Sequence, residues 1–267
     1  VPDMRQEWFT FKDAEVFRFV KEWLLSLGLK PAGEPPERMP GGSADGAEDT
    51  LGPMRGEDSL PAWRPGAEAD WRQAIEAYDR PGRIFDPAKT ALVLVDMQRV
   101  FAHPKGSSFL PASMPVLKRL RGLLDAWRDA DLPVFFTRHV HRQPELDGGG
   151  SARWWRSLIR EGAWESQLVD EMQPETREAL LTKCRYSAFV GTPLEMMLRA
   201  AGVEAVLIGG VMTHLCCETT ARDAFVRDFD VYFLGDGTAS ADATLHLSSL
   251  CTIEHGFGRV LSAEDAL

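Results

Sequence analysis

One run in the chain combines a reactive residue type with a position that activates it: Gly209-Gly210-Val211-Met212-Thr213-His214-Leu215-Cys216-Cys217. It follows Ala205-Val206-Leu207-Ile208, an apolar stretch that reads as a buried strand. It leads into Glu218 to Asp228, a segment of good helix formers with no Gly or Pro. A strand therefore stops at glycines, turns sharply and starts a helix with Cys216 on its first turn. Unpaired backbone N–H groups and the helix dipole favour negative charge there. The spacing predicts a thiol of lowered pKa that acts as a thiolate nucleophile. The same N–H groups can hold an oxyanion.

Two further polar residues stand at the ends of apolar runs. Asp96 follows Ala91-Leu92-Val93-Leu94-Val95, and Lys183 follows Glu178-Ala179-Leu180-Leu181-Thr182. A parallel sheet brings strand ends from distant parts of the chain to one edge, so Asp96, Lys183 and Cys216 meet in one cleft. The carboxylate can take the thiol proton and return it to a leaving group. The ammonium favours the charged forms of both partners. Taken singly, each has an ordinary reading: Cys216 as a small buried hydrophobe, Asp96 as a helix cap, Lys183 as a solvated strand-end charge. Their joint placement is what points to chemistry.

The elements that must position these groups alternate. After the strand at 91–95 comes a helix from Met114 to Ala130, with Val116, Leu117, Leu120, Leu123, Leu124 and Trp127 on one side. Pro133-Val134-Phe135-Phe136-Thr137 reads as the next strand, and the run at 178–182 as a third. A helix from Pro193 to Ala201 stops at Gly202. Strands follow at 205–208 and 231–234, then a helix from Ala241 to Glu254 and a short last strand at 258–261. Strand–helix alternation with continuous apolar runs predicts an α/β fold: three α-β-α layers around a mostly parallel sheet.

The N-terminal third differs in texture. Val16, Phe17, Val20, Trp23, Leu24 and Leu27 recur at helical spacing, which predicts a helix over 13–27 with an apolar stripe. Residues 31 to about 67 are rich in Pro, Gly, Glu and Asp and read as an extended arm. Asp70 to Tyr78 reads as a short helix before Pro81-Gly82. We divide the chain at 1–85, helix and arm, and 86–267, the catalytic domain.

Composition narrows the partners. The 267 residues carry a formal net charge of −10, which argues against general affinity for nucleic acid or anionic membrane. No apolar run reaches the roughly 18 residues of a membrane span, and the N-terminus lacks a secretory signal pattern. The four cysteines, Cys184, Cys216, Cys217 and Cys251, suit neither a disulfide scaffold nor a zinc site, which predicts a reducing, cytoplasmic setting.

Three stretches together resemble the isochorismatase-like cysteine hydrolases, a family that includes nicotinamidase, N-carbamoylsarcosine amidohydrolase, ureidoacrylate amidohydrolase and isochorismatase. They are Leu94-Val95-Asp96-Met97-Gln98, Thr182-Lys183-Cys184-Arg185-Tyr186-Ser187-Ala188-Phe189, and Gly210-Val211-Met212-Thr213 with Cys216 and Thr220-Ala221-Arg222-Asp223-Ala224. The resemblance runs from about Thr90 to the C-terminus. It implies an Asp96–Lys183–Cys216 triad and a cis peptide between Val211 and Met212. The Met212 and Cys216 N–H groups would then face the substrate carbonyl oxygen. Valine commonly follows the nucleophile in this family, so Cys217 replaces a packing group. Isochorismatases proper usually carry glycine at the position of Cys216 and cleave a vinyl ether. The thiol here favours hydrolysis of an amide, ureido or carbamoyl bond through a thioester. The stretch from Lys183 to Phe189 is close to the isochorismatase version and does not discriminate. A vinyl-ether hydrolase and a non-catalytic, partner-binding subunit on the same fold are the alternatives.

Nicotinamidases hold a metal with an Asp-x-His pair after the second strand. The corresponding place reads Thr137-Arg138-His139-Val140-His141, with no carboxylate at that spacing, so neither a catalytic metal nor another cofactor is expected. His139 and His141 share a face if the strand continues; they either line the pocket or bond to backbone. Gly148-Gly149-Gly150 before Trp154-Trp155 predicts a mobile loop whose tryptophans either cover the site or pack at the surface. Phe101, His139, Trp155, Tyr186 and His214 are the candidate contacts to a small-molecule substrate. The apolar stripe of the N-terminal helix predicts a homo-oligomer, dimer or tetramer, with that helix at the interface.

Overall fold

In a computed structural model, residues 68–78, 84–155 and 157–267 are described. The expected N-terminal helix and arm lie outside them. The apolar run before Asp96 forms β1 (Thr90–Val95), buried along its whole length. Leu92 and Leu94 enter one core cluster, while Ala91, Val93 and Val95 enter a second on the other face. This period of two, apolar on both faces, is what a central parallel strand requires.

Five more strands complete one sheet: β2 (Val134–His139), β3 (Ala179–Lys183), β4 (Ala205–Val211), β5 (Asp230–Ala239) and β6 (Arg259–Leu261). Their order is β3-β2-β1-β4-β5-β6, and every neighbouring pair is parallel. The chain first builds outward from β1 to β3, then returns to pair β4 on the other side of β1. That reversal opens a crevice beyond the carboxyl ends of β1 and β4, where ligands of such sheets bind.

Helices cover both faces. The shorter helices in the first half are α1 (Glu68–Glu76) and α2 (Arg99–Ala102). α3 (Ser113–Asp129) lays Val116, Leu120, Leu124 and Trp127 on the first face. Each such apolar side chain contributes about 1.5–3 kcal/mol by leaving water. A short helix α4 (Pro144–Asp147) precedes a second, α5 (Gly149–Trp154), which stands where a mobile loop is expected. α6 (Leu194–Ala200), α7 (Glu218–Phe225) and α8 (Ala243–Gly256) pack Leu194, Leu198, Ala221, Ala224, Leu250 and Ile253 on the second face. The Trp71 ring of α1 joins that cluster, within 2.9 Å of where a Cβ on Gly235 would stand. Among the described residues no helix is long and apolar enough to cross a membrane.

Two boundaries differ from expectation. β5 runs five residues past Leu234, through Gly235 and Gly237, because a register shift against β4 between Ile208 and Gly210 absorbs the glycines. Between β4 and α7 lies a π-helical turn, Thr213–Cys217, so Cys216 sits in a wider coil just ahead of the α-helix. β4 approaches β1 closely enough that a Cβ on Gly210 (φ 126°) would lie 2.0 Å from the Val95 carbonyl oxygen. Only glycine fits there.

Candidate active site

β1 ends at Asp96, whose φ of 51° turns the chain out of the sheet. Asp tolerates this left-handed conformation better than most residues. Its N–H donates to the Thr137 carbonyl and hydroxyl oxygens at 3.2 Å each. The Thr137 hydroxyl donates in return to Asp96 Oδ1 at 2.7 Å, and Lys183 Nζ donates to Oδ2 at 2.6 Å. Both oxygens are thus committed, and the Asp96 and Lys183 side chains are 0% exposed. Lys183 also donates to the Arg185 carbonyl at 3.2 Å. The sheet register pairs Lys183 with His139 of β2, which places the His139 Nδ1 3.5 Å from the ammonium.

Cys216 completes the group. It is 8% exposed, and its sulfur lies within 4.8 Å of an Asp96 carboxylate oxygen and a His139 ring nitrogen. Burial pushes the thiol up to about 12; Lys183 pulls it down and Asp96 pushes it further up. The lowering expected from a helix start is therefore corrected. The sulfur lies in a dry site, and desolvation of a thiolate outweighs the turn's dipole. In the resting site the sulfur carries its proton. Burial opposes charge on Lys183, but Asp96 and Cys216 together hold its ammonium above the ordinary value. The arrangement is a protonated thiol with a carboxylate to receive its proton and a fixed cation against the sulfur.

The turn before Cys216 is pinned at several points. The Val211–Met212 peptide is cis. The Met212 carbonyl accepts from the Leu215 and Cys217 N–H groups at 3.1 and 3.2 Å. The Thr213 hydroxyl meets His246 Nδ1 of α8 at 2.9 Å, and His214 Nδ1 meets the Ser240 hydroxyl at 2.8 Å. Burial, the first cause, lowers His246 to about 4, against a hydrogen bond to the Gly235 backbone that raises it.

Residues 90–265 match the isochorismatase domain family. The chain belongs to this family. Nicotinamidase 3 of Arabidopsis thaliana is 36% identical over 177 residues, covering 65% of this chain and 85% of that protein. Ureidoacrylate amidohydrolase RutB of Methylobacterium radiotolerans is 34% identical over 198 residues, covering 66% and 77%. Among solved structures, a cysteine hydrolase from Pseudomonas syringae pv. phaseolicola 1448A superposes with a TM-score of 0.65 at 28% identity, over 68% of this chain and 92% of that one. The protein is an isochorismatase-family hydrolase with a six-stranded parallel sheet.

The remaining candidate residues of this isochorismatase-family protein divide by location. His139 stands at Lys183. The Tyr186 ring lies 6.5 Å from the His139 ring, and the Trp155 indole N–H donates to the Tyr186 hydroxyl at 2.8 Å. These three therefore form one continuous run of contacts leading outward from Lys183. Phe101 packs against the first core cluster, and His214 turns to Ser240. Neither has a described contact with the triad. Cys217 is fully buried in the second core cluster, its thiol raised well above the ordinary range by burial and then by Cys216. That is a packing position.

Three groups carry no role in the sequence reading: Thr137, Gln98 and Asp147. Thr137 orients Asp96 as described. Gln98, fully buried, accepts from the His139 N–H at 2.7 Å and donates to the carbonyls of His139 and Ser166, at 3.1 and 2.8 Å, which ties the ends of β1 and β2 together. His141 and Asp147 bond to each other at 2.9 Å. The available signal was the alternation Thr137, His139, His141 on one strand face.

The donor set does not suit a nicotinamidase-type metal. Thr137 stands where an anionic ligand is needed, and its hydroxyl serves Asp96. Asp96, His139 and Cys216 do bring one donor atom each within 4.8 Å of one another. The Lys183 ammonium, however, bonds Asp96 and adjoins His139, so a cation already fills that place.

Proposed function

We propose that this hydrolase cleaves a small amide, ureido or carbamoyl C–N bond through a thioester on Cys216. The observation that carries the reading is the buried Cys216 sulfur within 4.8 Å of the Asp96 carboxylate, which is itself paired with Lys183 at 2.6 Å. Asp96 takes the thiol proton as the sulfur attacks the carbonyl carbon. The backbone N–H groups of Met212 and Cys216 receive the developing oxyanion. Asp96 then gives its proton to the leaving nitrogen, the C–N bond breaks, and ammonia or an amine departs. A water molecule loses a proton to Asp96 and attacks the thioester. The C–S bond breaks, the acid product leaves, and the sulfur recovers the proton from Asp96. Lys183 remains an ammonium throughout and offsets the negative charge as it passes between carboxylate and sulfur. Trp155, Tyr186 and His139 form the wall against which a small planar substrate is held.

The relatives named for nicotinamide and ureidoacrylate hydrolysis support a C–N bond as the target. A vinyl-ether reaction has no use for the thiol. Assaying amides, ureido acids and isochorismate with wild type and Cys216→Ala tests the reading. Turnover of a C–N substrate that disappears in Cys216→Ala is expected. Isochorismate turnover that survives the substitution would overturn it.

A further inference from the structure

A second set of polar groups runs outward from Lys183, and the chemistry of its two ends gives it a direction. At the outer end, Asp147 Oδ2 accepts the N–H groups of Arg142 and Gln143 at 2.7 and 3.2 Å. Its Oδ1 lies 2.9 Å from His141 Nδ1. Burial acts to raise the Asp147 carboxyl, but hydrogen bonds from Gln143, His141 and Arg142 hold it below the ordinary carboxylate range. A carboxylate only accepts, so His141 Nδ1 carries the hydrogen. His141 is fully buried, and its Nε2 lies 3.2 Å from His139 Nε2. At the inner end, His139 Nδ1 faces Lys183 Nζ at 3.5 Å, and an ammonium only donates.

These end conditions favour the assignment in which no donor faces the ammonium. His139 Nδ1 is a lone pair toward Lys183; His139 Nε2–H donates to His141 Nε2; His141 Nδ1–H donates to Asp147. A cationic His141 would donate through Nε2, which forces the hydrogen of a neutral His139 onto Nδ1 and sets donor against donor at Lys183. The groups facing His139 are Lys183, Asp96, Cys216, His141, Tyr186 and the Arg185 backbone carbonyl, which also accepts from Lys183. Burial first, then Lys183, lowers His139 to about 4, in keeping with a neutral ring.

We propose that His141 and Asp147 are positioning residues that lock His139 in its Nε2–H tautomer, so that the Nδ1 lone pair holds the Lys183 ammonium in place against Asp96 and Cys216. The proposal rests on the catalytic reading of Lys183 given above. Asp147 also ties down the segment that leads to Trp155: the Arg185 guanidinium donates to its backbone carbonyl at 2.6 Å. A test must therefore separate tautomer control from simple support of that segment.

Heteronuclear NMR of histidine-labelled full-length protein at neutral pH reads the tautomers directly. His139 should be protonated at Nε2 only, and His141 at Nδ1 only. In His141→Phe the His139 ring should lose its single tautomer. Alkylation of Cys216 by iodoacetamide should slow by about tenfold, the effect of weakening one charge-assisted hydrogen bond. On any substrate turned over, kcat should fall by a similar factor with KM within about twofold. In His141→Gln the amide oxygen can accept from His139 Nε2–H, so most of the alkylation rate should return. A wild-type His139 protonated at Nδ1 overturns the proposal. So does an unchanged tautomer and alkylation rate in His141→Phe, or equal losses in the Phe and Gln variants. The NMR and alkylation readouts need no substrate. A protein that turned over no C–N substrate would overturn the function proposed above while leaving these readouts to decide the tautomer lock.

Discussion

Replacing Lys183 by methionine removes one half of an ion pair that has no access to water. The contact is 2.6 Å, and both side chains are fully buried. Deleting one partner leaves the Asp96 carboxylate with the Thr137 hydroxyl as its remaining side-chain donor, so Lys183→Met should destabilise by about 3–5 kcal/mol. Asp96→Asn should cost a similar amount, because it strands the ammonium. The double variant carries no buried charge and nearly conserves volume. It should be more stable than the sum of the single changes predicts, by about 3 kcal/mol. Urea unfolding followed by circular dichroism supplies all four corners of the cycle, provided the slope m is unchanged. Single changes below about 1 kcal/mol, additive within about 0.5 kcal/mol, would refute the claim that the two groups are charged and coupled in the folded site. The same single variants should lose roughly a hundredfold or more in turnover, since the base or the cation is gone.

Cys216→Ser should lose at least several hundred-fold in rate, while Cys217→Val keeps most of it; iodoacetamide mapping that finds Cys217 as the essential thiol would contradict the assignment. His139 and His246 are each lowered to about 4, burial being the first cause in both. Unfolded histidine titrates near 6.5, so the unfolded state binds protons that the folded state refuses. The resulting stability is present above about pH 6.5 and is lost as pH falls toward about 4, at roughly 3 kcal/mol per residue. Urea midpoints across that range should fall accordingly and fall less steeply in His246→Gln; an identical slope would remove His246 from the account. Activity should survive dialysis against a strong chelator, since Thr137 offers no anionic ligand. Loss that zinc restores would contradict that.

The strands that carry the site were legible because their apolar runs are unambiguous: 91–95, 134–137 and 205–208 all fall in sheet strands. Asp96 and Lys183 could be placed from strand ends alone, since a parallel sheet gathers its carboxyl ends. Three features were not legible, each because it depends on distant parts of the chain. The Cys216 thiol is raised, not lowered, because burial comes from elements packed around the turn rather than from the turn itself. Gly235 and Gly237 read as the end of a strand, yet pairing with β4 carries β5 through to Ala239. The role of the histidine pair stayed open because Asp147, which orients His141, comes from α4, a four-residue helix that the sequence pattern does not mark.

The central claim is that the substrate's acyl group passes through Cys216. The most direct measurement is acid-quench mass spectrometry during turnover of a C–N substrate, followed by peptide mapping. The account predicts an adduct of the acyl mass on the peptide that contains Cys216, absent from Cys216→Ala and lost in Cys216→Ser turnover assays together with the rate. Full turnover by Cys216→Ala with no adduct would contradict it.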